Sequence, residues 1–327
     1  MKNPIKWGIL ATGYIAQKFA DDFSHVQNAE LAVVASRTLV AARQFAEKFS
    51  IPQAFGSYEQ LIEHTDVDVI YVATPHVYHY NLMMKCLDAG KAVLCEKPFT
   101  INAGQTHEVI QKAKANKLFL MEGLWTRFQP VAERVNELIS NNAIGLPHMM
   151  SANLGFRCDA SPGGRLLNPE LGGGALLDVG IYAINWAYMI FGAPNNIVSL
   201  PVMGSTGVDE TSAMVLGYDS GQLATLYSTI KVNPPQRAII VGEAGQIIID
   251  GPLYKPTGLQ LVIEGKSTRS IDISFPGHGL HYEANAVTQC IQEGKTECER
   301  MPLSETLSIM QTMDTIRQQW NFKYPGE

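Results

Sequence analysis

The residues best suited to chemistry sit where apolar runs end. The first run, Ile5–Leu10, leads into Ala11-Thr12-Gly13-Tyr14-Ile15-Ala16. This is a degenerate form of the turn whose glycines let backbone approach a pyrophosphate resting on a helix N-terminus. Gly13 takes the middle glycine position and Ala16 the third, where alanine is allowed, while Ala11 replaces the first glycine. The second run ends Ser36-Arg37-Thr38. An acid there would hold a ribose 2′-hydroxyl, whereas an arginine accommodates a 2′-phosphate, so Arg37 points to NADP over NAD. A solvated loop arginine is the competing account. Later runs end in Thr74-Pro75-His76, Glu96-Lys97-Pro98 and Glu122-Gly123-Leu124-Trp125. Ligands of an open α/β sheet bind outside the carboxyl ends of its strands. These segments therefore converge on one edge.

The elements that must position them alternate. Strands are expected at Ile5–Leu10, 31–36, 67–74, Ala92–Glu96 and 118–121, and helices at about 14–24, Leu39–Phe49, 57–64, 78–88 and 102–116. Strands separated by helices imply βαβ units and a parallel sheet covered on both faces. After about Gly123 the pattern changes. A helix at 130–139, an apolar segment at 175–190 and two closing helices at 282–293 and 304–320 flank a strand series. The strands are expected at 148–157, 197–203, 212–218, 223–231, Ala238–Gly242, 246–249, 259–263 and 270–275, and turn signals such as Asp219-Ser220-Gly221 favour antiparallel hairpins. The expected class is α/β: a doubly wound Rossmann domain over 1–123, then an α+β domain over 124–327 with a large, mostly antiparallel, open-faced sheet.

Composition agrees with two folded domains. The chain has 327 residues, 46% hydrophobic and 17% charged, which is ordinary for globular proteins. With 25 Lys+Arg against 31 Asp+Glu the net charge is −6, which argues against nucleic acid or an anionic membrane as the main partner. Five scattered cysteines without a C-x-x-C pair suggest neither a disulfide scaffold nor a cysteine zinc site. The start MKNPIKWGIL lacks the apolar stretch of a signal peptide. No apolar run approaches the roughly 18 residues of a membrane span, so a cytoplasmic protein is expected. His278-x-x-His281 has no acidic or cysteine partner at metal-ligand spacing, and no G-x-S-x-G is present.

Taken together, GILATGYIA near the start, Ala73-Thr74-Pro75, Glu96-Lys97-Pro98 and the run from Gly172-Gly173-Gly174 through Asp178 and Gly180 to Tyr182 resemble the Gfo/Idh/MocA oxidoreductases over nearly the whole length. The segment 122–128 and the ending at Tyr182 are most similar to the dimeric trans-dihydrodiol/D-xylose dehydrogenase branch. The resemblance implies that Lys97 is the catalytic or substrate-orienting lysine, and that its bond to Pro98 is often cis. A lysine partly desolvated at a strand end suits that work, because its pKa falls. Most of the family carries histidine where this chain has Tyr182. The branch is similar in using tyrosine, which makes Tyr182 the general acid/base, with Lys97 lowering its pKa. Asp178, one helical turn earlier, would orient substrate hydroxyls or the lysine.

The implied cofactor contacts are Ala11, Thr12, Gly13, Tyr14, Ile15, Ser36, Arg37, Thr38, Thr74, Pro75, His76, His79, Glu96, Lys97 and Pro98. Trp125, Arg127, Phe156 and His278 join Asp178 and Tyr182 as candidate substrate contacts. The leading expectation is an NADP-linked dehydrogenase of a vicinal diol or sugar, assembled as a homodimer or higher oligomer through its open sheet. An NAD-linked inositol or sugar dehydrogenase and a non-catalytic NAD(P)-binding sensor are the alternatives.

Overall fold

The computed structural model describes residues 3–64 and 66–327, so Met1 and Lys2 of the expected leaderless start lie outside the described residues. The chain forms two compact units. One runs through Phe128 and takes in Pro276–Leu307; the other comprises Gln129–Phe275 and Ser308–Glu327.

The first unit is built on six strands: β1 (Ile5–Leu10), β2 (Ala29–Ala35), β3 (Gln53–Phe55), β4 (Val69–Val72), β5 (Ala92–Glu96) and β6 (Leu120–Gly123). They run parallel in the order β3-β2-β1-β4-β5-β6, so the order reverses beside β1, where such sheets bind ligands. Every residue of β4 and β5 is buried, as expected of parallel strands covered on both faces. Between the strands lie α1 (Tyr14–Asp22), α2 (Leu39–Phe49), α3 (Tyr58–Ile62), α4 (His79–Asp88) and α5 (Ala103–Asn116). Thr38, Ser57 and Asn102 cap α2, α3 and α5 by accepting a backbone N–H from within the first turn.

The second unit carries an eight-stranded sheet of β7 (Pro147–Gly155), β8 (Asn196–Met203), β9 (Asp209–Gly217), β10 (Leu223–Thr229), β11 (Ala238–Gly242), β12 (Gly245–Ile249), β13 (Gly258–Ile263) and β14 (Arg269–Asp272). The order is β14-β13-β12-β11-β7-β10-β9-β8, and every pairing is antiparallel except β7 with β10. Alternation is plain: Met150, Ala152, Ala224, Leu226, Met214 and Leu216 are buried on one face. Their neighbours on the other face, Met149, Leu223, Val215, Val198 and Leu200, are exposed, Leu200 to 73%. Helices α6 (Pro130–Ser140) and α7 (Ile181–Phe191) belong here, and α7 packs on β7 and β10. The apolar segment at 175–190 opens with a π-turn, Leu176–Gly180, before α7 begins. The helical stretch Pro169–Phe191 is long and apolar enough to cross a membrane, yet 83% of its most apolar 18 residues are buried in the fold. It is a core element.

Two further helices complete the chain, α8 (His281–Gln292) and α9 (Leu303–Gln319). The division at 123/124 assigns 276–307 to the second part; compactness groups it with the first. The reason is in the bonds. The Trp7 indole N–H donates to Thr288 Oγ1 at 3.2 Å, and Asp22 accepts the backbone N–H groups of His278 and Leu280 at 2.6 and 2.8 Å.

Candidate functional site

Each unit holds part of the implied set. In the first, the turn after β1 combines three features. Ala11 has φ +88, a conformation that favours glycine and costs a β-carbon residue about 1–3 kcal/mol; its N–H donates to Ala35 O at 2.9 Å. Thr12 Oγ1 and Ser36 Oγ share a hydrogen bond of 3.1 Å, joining the ends of β1 and β2. Gly13 is the N-cap of α1, no side chain caps that terminus, and its first turn carries no acid. A Cβ on Gly13 would meet nothing within 4 Å. Backbone amides thus face an open approach, the arrangement that receives a pyrophosphate. Tyr14, Arg37 and Thr38 are exposed and Ile15 is half-buried, while the Thr38 hydroxyl is engaged in capping α2. Among these residues a dinucleotide fits: hydroxyls and a cation, but no acid, line the end of β2.

The ends of β4 and β5 are tied to each other. His79 is fully buried, with Nε2 2.8 Å from Thr74 O and Nδ1 3.0 Å from Pro98 O. Burial pushes its pKa down to about 4, so the ring is neutral and donates to one carbonyl at a time. Its position makes it a brace between the two turns. Thr74 and His76 are buried and Pro75 is exposed. The Lys97–Pro98 bond is cis, as the resemblance implies, and Lys97 is half-buried. Glu96 accepts from the Tyr71 hydroxyl, and from Lys97 N–H at 3.3 Å. Burial raises its pKa, against the Tyr71 hydrogen bond and the Lys97 charge. Glu122 Oε1 accepts Phe99 N–H at 3.1 Å, and burial pushes Glu122 up to about 7.

Three candidates have other engagements. Arg127 is buried, pairs with Glu305 and donates to Arg300 O at 3.3 Å. Trp125 is buried in the same turn, Trp125–Phe128. His278 lies at the C-terminal end of α1, its ring 3.8 Å from Asp21. That is the end of α1 away from Gly13, so the structure does not bring His278 to the glycine turn.

In the second unit, Asp178 sits within the π-turn and pairs with Arg165 at 2.8 Å. Such turns recur at functional sites. Tyr182 is buried in the first turn of α7, its ring centroid 6.0 Å from that of Tyr254. Phe156 is half-buried just past β7, with its N–H on Thr229 O at 3.0 Å. The glycines before the π-turn are fixed by distant residues. Gly174 has φ +121, and a Cβ there would fall 2.2 Å from Asp209 Oδ1. Asp209 Oδ2 accepts Leu176 N–H at 2.8 Å, and burial pushes Asp209 up to about 7. Tyr324 donates its hydroxyl to Gly173 O at 2.7 Å. Sequence reasoning missed Arg165, Asp209 and Tyr324, because each acts through a partner that no local spacing reveals. Chemically, the Asp178–Arg165 pair can both accept from and donate to hydroxyls, and the Tyr182 phenol can exchange a proton.

Residues 5–124 match the GFO/IDH/MocA model described as an oxidoreductase family with an NAD-binding Rossmann fold, and residues 132–248 match the GFO/IDH/MocA C-terminal domain. The chain is 37% identical to trans-1,2-dihydrobenzene-1,2-diol dehydrogenase of Xenopus tropicalis, over 98% of this chain and 99% of that one. It is 32% identical to D-xylose 1-dehydrogenase (NADP(+)) of Hypocrea jecorina, over 99% and 94%. Among solved structures, the aldose-aldose oxidoreductase of Caulobacter crescentus superposes with a TM-score of 0.89 at 24% identity, over 97% of both chains; this likeness is one of fold. With two domain matches in the expected order and full-length relatives, the chain belongs to the GFO/IDH/MocA oxidoreductase family.

Proposed function

We propose that this protein transfers a hydride between NADP(H) and a secondary alcohol or carbonyl of a vicinal diol or sugar. The end of β2 carries the reading: Ser36 is bonded to Thr12, Arg37 stands exposed, and no acid is present to hold a ribose 2′-hydroxyl. The named activities of the diol and xylose dehydrogenase relatives agree with it. In this reading the first unit serves the cofactor and the second the substrate and self-association.

When bound, the nicotinamide supplies the hydride acceptor or donor. The chain's own groups handle position and protons. The uncapped start of α1 and Arg37 bind phosphates, Lys97 polarises the reacting oxygen, and Tyr182 takes the hydroxyl proton in oxidation and returns it in reduction. Asp178, paired with Arg165, orients neighbouring hydroxyls.

The exposed apolar face of the eight-stranded sheet supports a homodimer through that face, because an open apolar sheet is ordinarily covered. Five free cysteines suit a reducing cytoplasm. Nicotinamide absorbance followed with NADP or NAD over a panel of diols and aldoses tests the reading. Turnover with NADP is expected; turnover confined to NAD favours an inositol or sugar dehydrogenase, and binding without turnover favours a sensor.

A further inference from the structure

Glu283, in the first turn of α8, is fully buried, and neither carboxyl oxygen has a hydrogen-bond partner among the described residues. Gly123 makes the room for it. A Cβ on Gly123 would lie 3.6 Å from Glu283 Oε2 and 3.5 Å from Glu96 Cα, so the buried Glu283 carboxyl lies close to the Glu96 backbone behind the end of β5. Two carboxylates removed from water at such a place do not both ionise. Hydrogen-bond donors decide which one keeps the proton. Glu96 has the Tyr71 hydroxyl, the Lys97 N–H and the Lys97 charge. Burial raises the pKa of Glu283, and the negative charges of Glu96 and Asp22 raise it further.

The remaining titratable neighbours do not reverse this. Asp22 of α1 is held by the His278 and Leu280 amides and by the His281 ring at 3.3 Å. The exposed His25 ring lies beside His281, their centroids 5.1 Å apart. Glu122 of β6 is balanced by the Arg127 charge and the Phe99 N–H.

We propose that Glu283 is a neutral carboxylic acid in the folded protein, leaving the negative charge at the end of β5 on Glu96, its neighbour across the Gly123 recess. The turnover arm of the test rests on the proposed function; the protonation of Glu283 does not. Glu283→Gln is the direct test, since an amide copies the shape and neutrality of the protonated acid. The unfolded carboxyl ionises near 4.5 and the folded one stays protonated, so the wild type takes up a proton on folding. Its stability therefore falls relative to the variant as pH rises.

Thermal unfolding of both proteins from about pH 5 to about pH 9 should show a Tm difference that widens in favour of Glu283→Gln. Parallel curves overturn the neutral acid. In NADP-linked turnover, the alkaline limb of the kcat/KM profile and KM for NADP should both stay in place in the variant, because the amide carries the same charge as the neutral acid. A limb that moves shows that Glu283 carries charge in the wild type and overturns the neutral acid. If the wild type turns over nothing, the proposed function fails and the stability test still stands. If the variant does not fold, infrared spectra of the wild type decide. Well above pH 7, where Glu122 and Asp209 are ionised, a protonated-carboxyl band must persist, and its absence overturns the proposal.

Discussion

In the first unit the carboxyl of Glu122 accepts the N–H of Phe99, just after Lys97-Pro98. In the second, the carboxyl of Asp209 accepts the N–H of Leu176, just before Asp178. Both acids are buried and both are pushed up to about 7 by that burial. The same device thus fixes the backbone beside each implied reactive side chain. The difference lies in the glycines nearby. At Gly13 the missing side chain leaves open space, whereas at Gly174 it leaves room for a neighbouring protein atom. One unit keeps its glycine for a ligand, and the other spends it on its own packing.

The largest effect should separate chemistry from both devices. Tyr182→Phe is expected to lower kcat by about 10²–10⁴-fold, the usual worth of positioned proton transfer, with NADP affinity intact. Near-normal turnover would remove Tyr182 from proton transfer. Two alanine substitutions then probe the glycines. Gly174→Ala, strained at φ +121 and driven against Asp209, should cost about 3 kcal/mol in urea unfolding. Gly13→Ala should leave the unfolding midpoint nearly in place and weaken NADP in a titration; if both variants lose stability alike, the contrast is lost.

Arg37→Ala comes next. Losing hydrogen bonds to a charged phosphate costs about 1.5–3 kcal/mol, so the NADP preference in kcat/KM should fall roughly 10- to 100-fold. An unchanged ratio would leave Arg37 a solvated loop residue. The last effect concerns pH. Glu122 and Asp209 ionise in the unfolded chain near 4.5 and 3.8, and in the folded one at about 7. Each therefore contributes stability that is complete below its unfolded value and is lost as pH rises towards 7. Glu122→Gln and Asp209→Asn should each remove a slope of about 1.4 kcal/mol per pH unit over that window. Curves parallel to the wild type would show that the acid is ionised in the fold.

Much of the architecture is legible in the chain because it is local. Ile5–Leu10, Leu39–Phe49, Ala92–Glu96 and Ala238–Gly242 fall where their apolar periods and caps place them. β3 is not legible: three residues, half-exposed at best, have no period to read. The π-turn is hidden too, since a continuously apolar run looks alike in either helix type. At the nucleotide turn the sequence shows Ala11 in place of glycine but not that its backbone is left-handed. Asp209 and Tyr324 escape notice because their partners lie 33 and 151 residues away. Arg165 escapes because nothing beside it in the chain suggests a carboxylate. His79 invites a cofactor contact by its place after Thr74-Pro75, yet the fold uses both ring nitrogens inward.

The return of 276–307 to the first unit has a consequence for how the protein is made. Trp7 waits for Thr288, 281 residues later, and Asp22 waits for the amides that open α8. On the ribosome, the parallel sheet therefore emerges first and is finished almost last, after the whole eight-stranded sheet has been synthesised. Contacts of such long sequence separation slow folding and prolong exposure of apolar surface. An N-terminal fragment ending at Gly123 would carry the nucleotide turn intact but leave Trp7, Asp22 and the Gly123 recess without their cover.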